Sequence, residues 1–156
     1  MLRYDFESSV GFWVIMAAHD LQRALNEELA PHGITYRQGQ VLGFLALKGP
    51  LSQADLAEQM RIEPPTLVGI LDRMQRDGWI RRDADPTDRR RKMIHPTAAA
   101  EPVWSKIALC ARRVRTRATR GLTPEQLTTL KHLLATIQDN LAQSHLSQLP
   151  TAKEAG

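Results

Sequence analysis

Four cations in a row, Arg89-Arg90-Arg91-Lys92, follow directly on the tetrad Asp85-Pro86-Thr87-Asp88. Guanidinium groups at this density suit the phosphates and the narrow minor groove of a nucleic-acid duplex. Upstream, Leu67, Ile70, Leu71 and Met74 fall at i, i+3, i+4 and i+7, the buried side of a helix. The opposite side of that helix carries Pro65, Thr66, Val68, Gly69, Asp72, Arg73 and Arg76. Hydroxyl and guanidinium donors beside one exposed valine can meet phosphates and base edges, with a methyl group left for thymine.

Other chemistry is poorly supplied. There is no nucleophile–base pair, no phosphate-binding glycine loop and no metal-ligand cluster, and His19, His32, His95, His132 and His145 show no ligand spacing. The sequence is therefore expected to be neither an enzyme nor a holder of a metal or cofactor. Cys110 is the single cysteine, which excludes an internal disulfide. On its apolar stripe it reads as a small buried hydrophobe, with a redox-responsive role as the alternative.

A chain of 156 residues can bury one sizeable core without disulfide or metal support. Lys plus Arg exceed Asp plus Glu by 21 to 17, a net charge of +4 that favours a polyanionic partner, and the location of the charge says more than its sum. The N-terminus lacks the basic-then-apolar layout of a signal peptide, and no apolar run approaches the roughly 18 residues of a membrane span. The expectation is a soluble, cytoplasmic protein with no membrane partner.

The elements that must position these residues can be taken in chain order. From about Ser8 to Ala30, Val10, Trp13, Val14, Ala17, Leu21, Ala24 and Leu25 mark one face of a long helix that ends at Pro31-His32-Gly33. Thr35 and Gln38 form a capping box for a second helix, stopped by Gly49-Pro50. Ser52 caps a short third helix with Asp55 at its third position, and Leu56, Ala57 and Met60 form its buried side. After the break at Arg61-Ile62-Glu63, Pro64 opens the fourth helix, which runs to Asp77-Gly78. Residues 79–82 and 91–94 read as two strands around the Asp85–Asp88 turn, a basic hairpin. Thr97 reads as the cap of a fifth helix reaching about Arg120, with Val103, Ile107, Cys110, Ala111 and Val114 on its apolar side. Pro102 places its start near Glu101 or distorts its first turn. Thr123-Pro124-Glu125-Gln126 starts a sixth helix, where Leu127, Leu130, Leu134, Ile137 and Leu141 step 3, 4, 3, 4 as the a/d seam of a coiled coil, read as dimerisation with intramolecular packing as the alternative.

This order resembles the MarR family of bacterial transcription regulators, over nearly all of residues 8 to 145. The most specific parts are LSQADLAEQMRIEPPTLVGILDRMQRDGWI and the wing DPTDRRRK. The resemblance implies a mainly α fold with a small β-hairpin wing: a winged helix-turn-helix flanked by long N- and C-terminal dimerisation helices. The module would span 35–96, the dimerisation region 1–34 and 97–146, and a flexible tail 147–156. It further implies a homodimer that binds a near-palindromic double-stranded DNA operator, typically as a repressor released by a small-molecule effector. Position by position, Ser52 and Gln53 would approach phosphates, and Pro65, Thr66, Val68, Gly69 and Arg73 would lie along the recognition helix. Asp88 would orient the wing, Arg90 would enter the minor groove, and Arg89 and Arg91 would meet phosphates. An anionic aromatic effector would sit near Trp13, Met16, His19, Tyr36, Arg37 and Trp104. The dimer would join through Val10 and the leucine seam. Where many relatives carry a long polar side chain, this chain has Gly69. Winged helices also serve as protein-docking platforms, which is the alternative reading.

Overall fold

A computed structural model of the chain describes residues 5–146 apart from Pro86, Arg89 and Arg90. The expectations placed on Arg89, Arg90 and the 147–156 tail thus lie outside the described residues. In order, these residues form α1 (Val10–Leu29), a 3-10 turn (Ala30–His32), α2 (Tyr36–Lys48), β1 (Leu51–Ser52), α3 (Gln53–Met60), α4 (Pro64–Arg76), β2 (Ile80–Ala84), β3 (Lys92–Pro96), α5 (Ala100–Ala118) and α6 (Pro124–Leu146). The expected fold class, a mainly helical winged helix-turn-helix flanked by long helices, is the one observed.

The helix starts follow local hydrogen-bond rules. At α2 the Thr35 hydroxyl accepts from the Gln38 N–H at 3.2 Å while the Thr35 N–H donates to Gln38 Oε1 at 2.9 Å, so two otherwise orphaned donors are satisfied. Gly33, at φ 69°, supplies the left-handed residue after the 3-10 turn. Pro102 is the third residue of α5, inside the first turn, where a helix has no internal acceptor to lose. Thr97 does not cap α5 with its side chain. Its hydroxyl donates to the Gly78 carbonyl at 2.5 Å and its N–H to the Trp79 carbonyl at 3.0 Å, tying the end of the hairpin to the end of α4.

The sheet has three strands in the order β1-β3-β2, all antiparallel, one more than the hairpin expected from sequence. Leu51 pairs with Ile94 and Ser52 with Met93, so the entrance to α3 is stitched to the return strand of the wing. The hairpin strands themselves begin one residue later than expected on both sides.

The chain divides into two compact units, Met1–Ala118 and Thr119–Gly156. In the first, one buried cluster runs from Leu29 of α1 through Leu56, Leu67 and Leu71 of the helix-turn-helix to Ile107 and Cys110 of α5. The core therefore crosses the expected module boundaries at 34/35 and 96/97. Several apolar positions assigned to helix faces lie outside this core: Val10, Trp13, Ala17 and Leu21 of α1, Leu47 of α2 and Ala111 of α5 are exposed. The second unit consists mainly of α6. Its entry box is formed as expected, with the Thr123 N–H donating to Gln126 Oε1 at 2.8 Å. Leu127 and Ile137 are half-buried, and Leu130, Leu134 and Leu141 are exposed.

Candidate nucleic-acid interface

Helix α4 is held from behind. Leu67, Leu71 and Met74 are fully buried, with Ile70 half-buried beside them. Pro65, Thr66, Val68, Gly69 and Arg73 are all exposed, as the helical period requires. The turn that delivers α4 is tight. Arg61 adopts a left-handed conformation at φ 50°, and the Ile62 N–H returns to the Ala57 carbonyl at 3.1 Å, closing α3 before Glu63 and Pro64 begin the next helix.

The base of the wing is locked to α3. Arg91 Nη2 donates to Asp55 Oδ2 at 2.9 Å, and the same carboxylate oxygen accepts the Ser52 hydroxyl at 2.6 Å. The Ser52 hydroxyl bond, and secondarily the Arg91 charge, hold the Asp55 carboxyl below its ordinary value against a partial desolvation that raises it. Ser52 is only 2% exposed, its hydroxyl engaged in this network and in accepting the Asp55 N–H at 3.1 Å. Ser52 thus serves as the cap of α3 and as a residue of β1, at the start of the third helix where it was expected to approach phosphates. Gln53, half-buried, lines a hollow of about 270 Å³ with Ala54, Pro64, Arg91 and Lys92, between the starts of α3 and α4 and the wing.

At the wing tip the Asp85 carboxylate does the gathering. Its Oδ1 accepts the Thr87 hydroxyl at 2.6 Å, the Thr87 N–H at 2.8 Å and the Asp88 N–H at 3.3 Å. The Thr87 hydroxyl is the main reason its carboxyl titrates below the ordinary range. Asp88, expected to orient the wing, gives its carbonyl to the Arg91 N–H at 2.9 Å.

Residues 32–91, from the last residue of the 3-10 turn to the residue before β3, match the MarR family model. The apo structure of MarR from E. coli superposes with a TM-score of 0.73 at 25% identity, over 83% of this chain and 96% of that one. The chain shares the winged-helix fold of MarR regulators, and its residues 32–91 match their family model. A mutant E. coli MarR complexed with operator DNA gives a TM-score of 0.74 at 26% identity over 82% of this chain and 92% of that one. The fold is shared too with BpsR of Bordetella bronchiseptica, whose DNA binding is regulated by 6-hydroxynicotinic acid (TM-score 0.77, 22% identity, 88% of this chain and 99% of that one).

The residues expected around an effector separate. His19, Tyr36 and Arg37 come together with Gln22, Arg23, Asn26 and Thr35 in an open groove of about 630 Å³ between α1 and the start of α2. Arg37 lies over the Tyr36 ring, 5.9 Å from its centroid. Trp13, Met16 and Trp104 are not part of this groove. Trp13 sits near the start of α1, where its Nε1 donates to the Glu7 carbonyl at 3.0 Å, and Trp104 of α5 faces Gly43 of α2. Cys110 is fully buried, its thiol 3.4 Å from the Glu28 carbonyl. Among the described residues no group of three or more His, Cys, Asp or Glu could hold a metal, and no helix is long and apolar enough to cross a membrane.

Sequence reasoning missed Arg82. It pairs with Ile94 in register and shares the face of buried Ile80 on β2, yet it carries a charge. Its Nη1 donates to Asp72 Oδ1 of α4 at 2.6 Å. The signal was available in the period of two: an arginine on the core-facing side of a strand requires a partner.

Proposed function

We propose that this MarR-family chain binds double-stranded DNA as a homodimer, laying α4 in the major groove and its wing along the minor groove of each half of a near-palindromic operator. The observation that carries this reading is the exposed face of α4, with Thr66, Val68 and Arg73 pointing out and the hairpin fixed beside it. Its width and donors suit a major groove. The E. coli relative bound to operator DNA supports the same reading. The resemblance supports a repressor, and the apolar side chains left exposed on α1 and α6 support dimerisation through the terminal helices, with 1–34 and 97–146 as the dimerisation region and 35–96 as the reading module.

A small-molecule effector fits the groove at His19, Tyr36 and Arg37, whose volume is within the range of about 300–1,000 Å³ typical of ligand sites. One aromatic wall and neighbouring cations favour an aromatic acid. The Bordetella relative's regulation by 6-hydroxynicotinic acid supports this class of ligand.

Selection of bound duplexes from a random pool tests the reading, followed by binding measured against salt. Half-sites about 10 base pairs apart are expected, with affinity falling linearly on logarithmic axes by about 0.9 per neutralised phosphate. Arg90→Ala should weaken binding by on the order of tenfold. A flat salt response, or capture of a protein partner with no duplex affinity, would replace this reading with a protein-docking module.

A further inference from the structure

We infer that Arg82 is a positioning residue that holds the reading face of α4 in fixed register with the wing, and so contributes to sequence discrimination without itself contacting a base. The inference rests on the DNA-binding reading above. Arg82 leaves β2 on its core side, and its side chain is 20% exposed. Beyond the 2.6 Å bond to Asp72 Oδ1, its Nη2 donates to the Val68 carbonyl at 3.4 Å. Val68 and Asp72 are four residues apart, one turn along the same side of α4. One planar fork rooted in the wing thus grips two successive turns of the recognition helix. A lysine ammonium, a point charge on a flexible stem, cannot reproduce that grip.

The remaining nitrogen makes the same point from the opposite direction. Arg82 Nε is buried without a hydrogen-bond partner among the described residues, a cost that a freely placed surface arginine avoids by turning to water. The group is held by where its two α4 partners are, at the expense of its own full solvation. Charge adds a second role. Asp72 lies on the exposed side of α4, where an unpaired carboxylate repels phosphates, and Arg82 neutralises it. Slack between α4 and the wing leaves phosphate contacts available to any duplex, but base contacts need both elements at one spacing.

The test compares wild type, Arg82→Lys, Asp72→Asn and the double variant. It reads affinity for the selected site, affinity for a scrambled duplex of equal length, salt slope and thermal midpoint. R82K keeps the charge. It should leave scrambled-duplex affinity within about twofold and the salt slope unchanged while lowering selected-site affinity about tenfold, the size of a contact coupling. D72N removes a negative charge from the reading face. It should hold or raise scrambled-duplex affinity while lowering selected-site affinity, a split that simple unfolding cannot produce because unfolding lowers both together. The double variant should lose less than the sum of the two. Retention of the wild-type ratio in both single variants, or a parallel loss on both duplexes that tracks the unfolded fraction, would overturn the role of Arg82 alone. A wild-type chain without duplex affinity would overturn the DNA-binding reading as well.

Discussion

The outward face of α4 and the first turns of α1 are both exposed, with opposite chemistry. On α4 the exposed groups are Thr66, Arg73, Asp72 and one valine, backed by a fully buried side and braced by Arg82. On α1, Val10 is 62% exposed and Trp13 59%, with Phe6 stacked edge-on near Phe12 beside them. A polar face is content in water and waits for a partner only to act. Large apolar side chains clustered on a helix carry a hydration cost until something covers them. The α4 face is therefore settled within one chain, whereas the apolar side chains of α1 stay exposed in it. The leucines of α6 belong to the second kind: Leu130, Leu134 and Leu141 are all exposed.

The largest effect expected from this contrast follows from charging the apolar surface. On the proposed dimer, Leu130→Glu combined with Leu134→Glu should yield a single chain of 17.6 kDa, seen by sedimentation. Operator affinity should drop by about 100-fold or more as two linked half-site contacts become one. Trp13→Glu should act in the same direction from α1. A double variant that stays dimeric with full affinity would break the contrast, because the leucine seam would then be an exposed face with no partner.

What the sequence made legible divides along the same line. Helix starts are readable because their hydrogen bonds close within three residues, as between Thr35 and Gln38 and between Thr123 and Gln126. Strand β1 is not, because two residues have no period and its pairing to Ile94 crosses more than forty positions of chain. Local spacing offers Ser52 as a cap but not as a strand residue, because its burial depends on pairing with β3. Periodicity marks Val10, Trp13 and Leu21 as one apolar face and is right about the face. It carries no information on whether the cover comes from the same chain. Helical spacing likewise puts Trp13, Met16 and His19 near one another, but the groove where α1 meets the start of α2 is lined by His19 without the other two.

A smaller effect sharpens the polar side of the comparison. Gly69 lies in the middle of α4, and a Cβ placed there would meet nothing within 4 Å. The fold therefore has no use for the glycine, which costs a helix interior about 1 kcal/mol relative to alanine. Gly69→Ala should raise the thermal midpoint by about 3 °C in a domain of this size. If the α4 face is shaped for a close-approaching duplex, the added methyl should at the same time reduce selected-site affinity. A rise in stability with unchanged affinity would mean that position 69 stands clear of the DNA, and would move the contact surface toward Thr66 and Arg73.

The smallest effect concerns how the wing is fastened to α3, and it can be read from pH. The Asp55 carboxyl is held below its ordinary value of 3.8, chiefly by the Ser52 hydroxyl and then by Arg91. A carboxylate whose folded pKa is depressed stabilises the fold above the unfolded value and loses that contribution as pH falls through the folded one. Asp55→Asn keeps the side-chain shape but removes the charge that Arg91 meets, so the variant should be less stable than wild type from neutral pH down to about pH 5. The gap between the two thermal midpoints should close only below pH 3.8. Because Asp55 and Arg91 are both about half exposed, salt should narrow the gap at neutral pH as well. A difference that persists unchanged at low pH would mean that the introduced amide disturbs the α3 cap through its hydrogen bonding, leaving the Arg91 ion pair with no measurable part in fastening the wing.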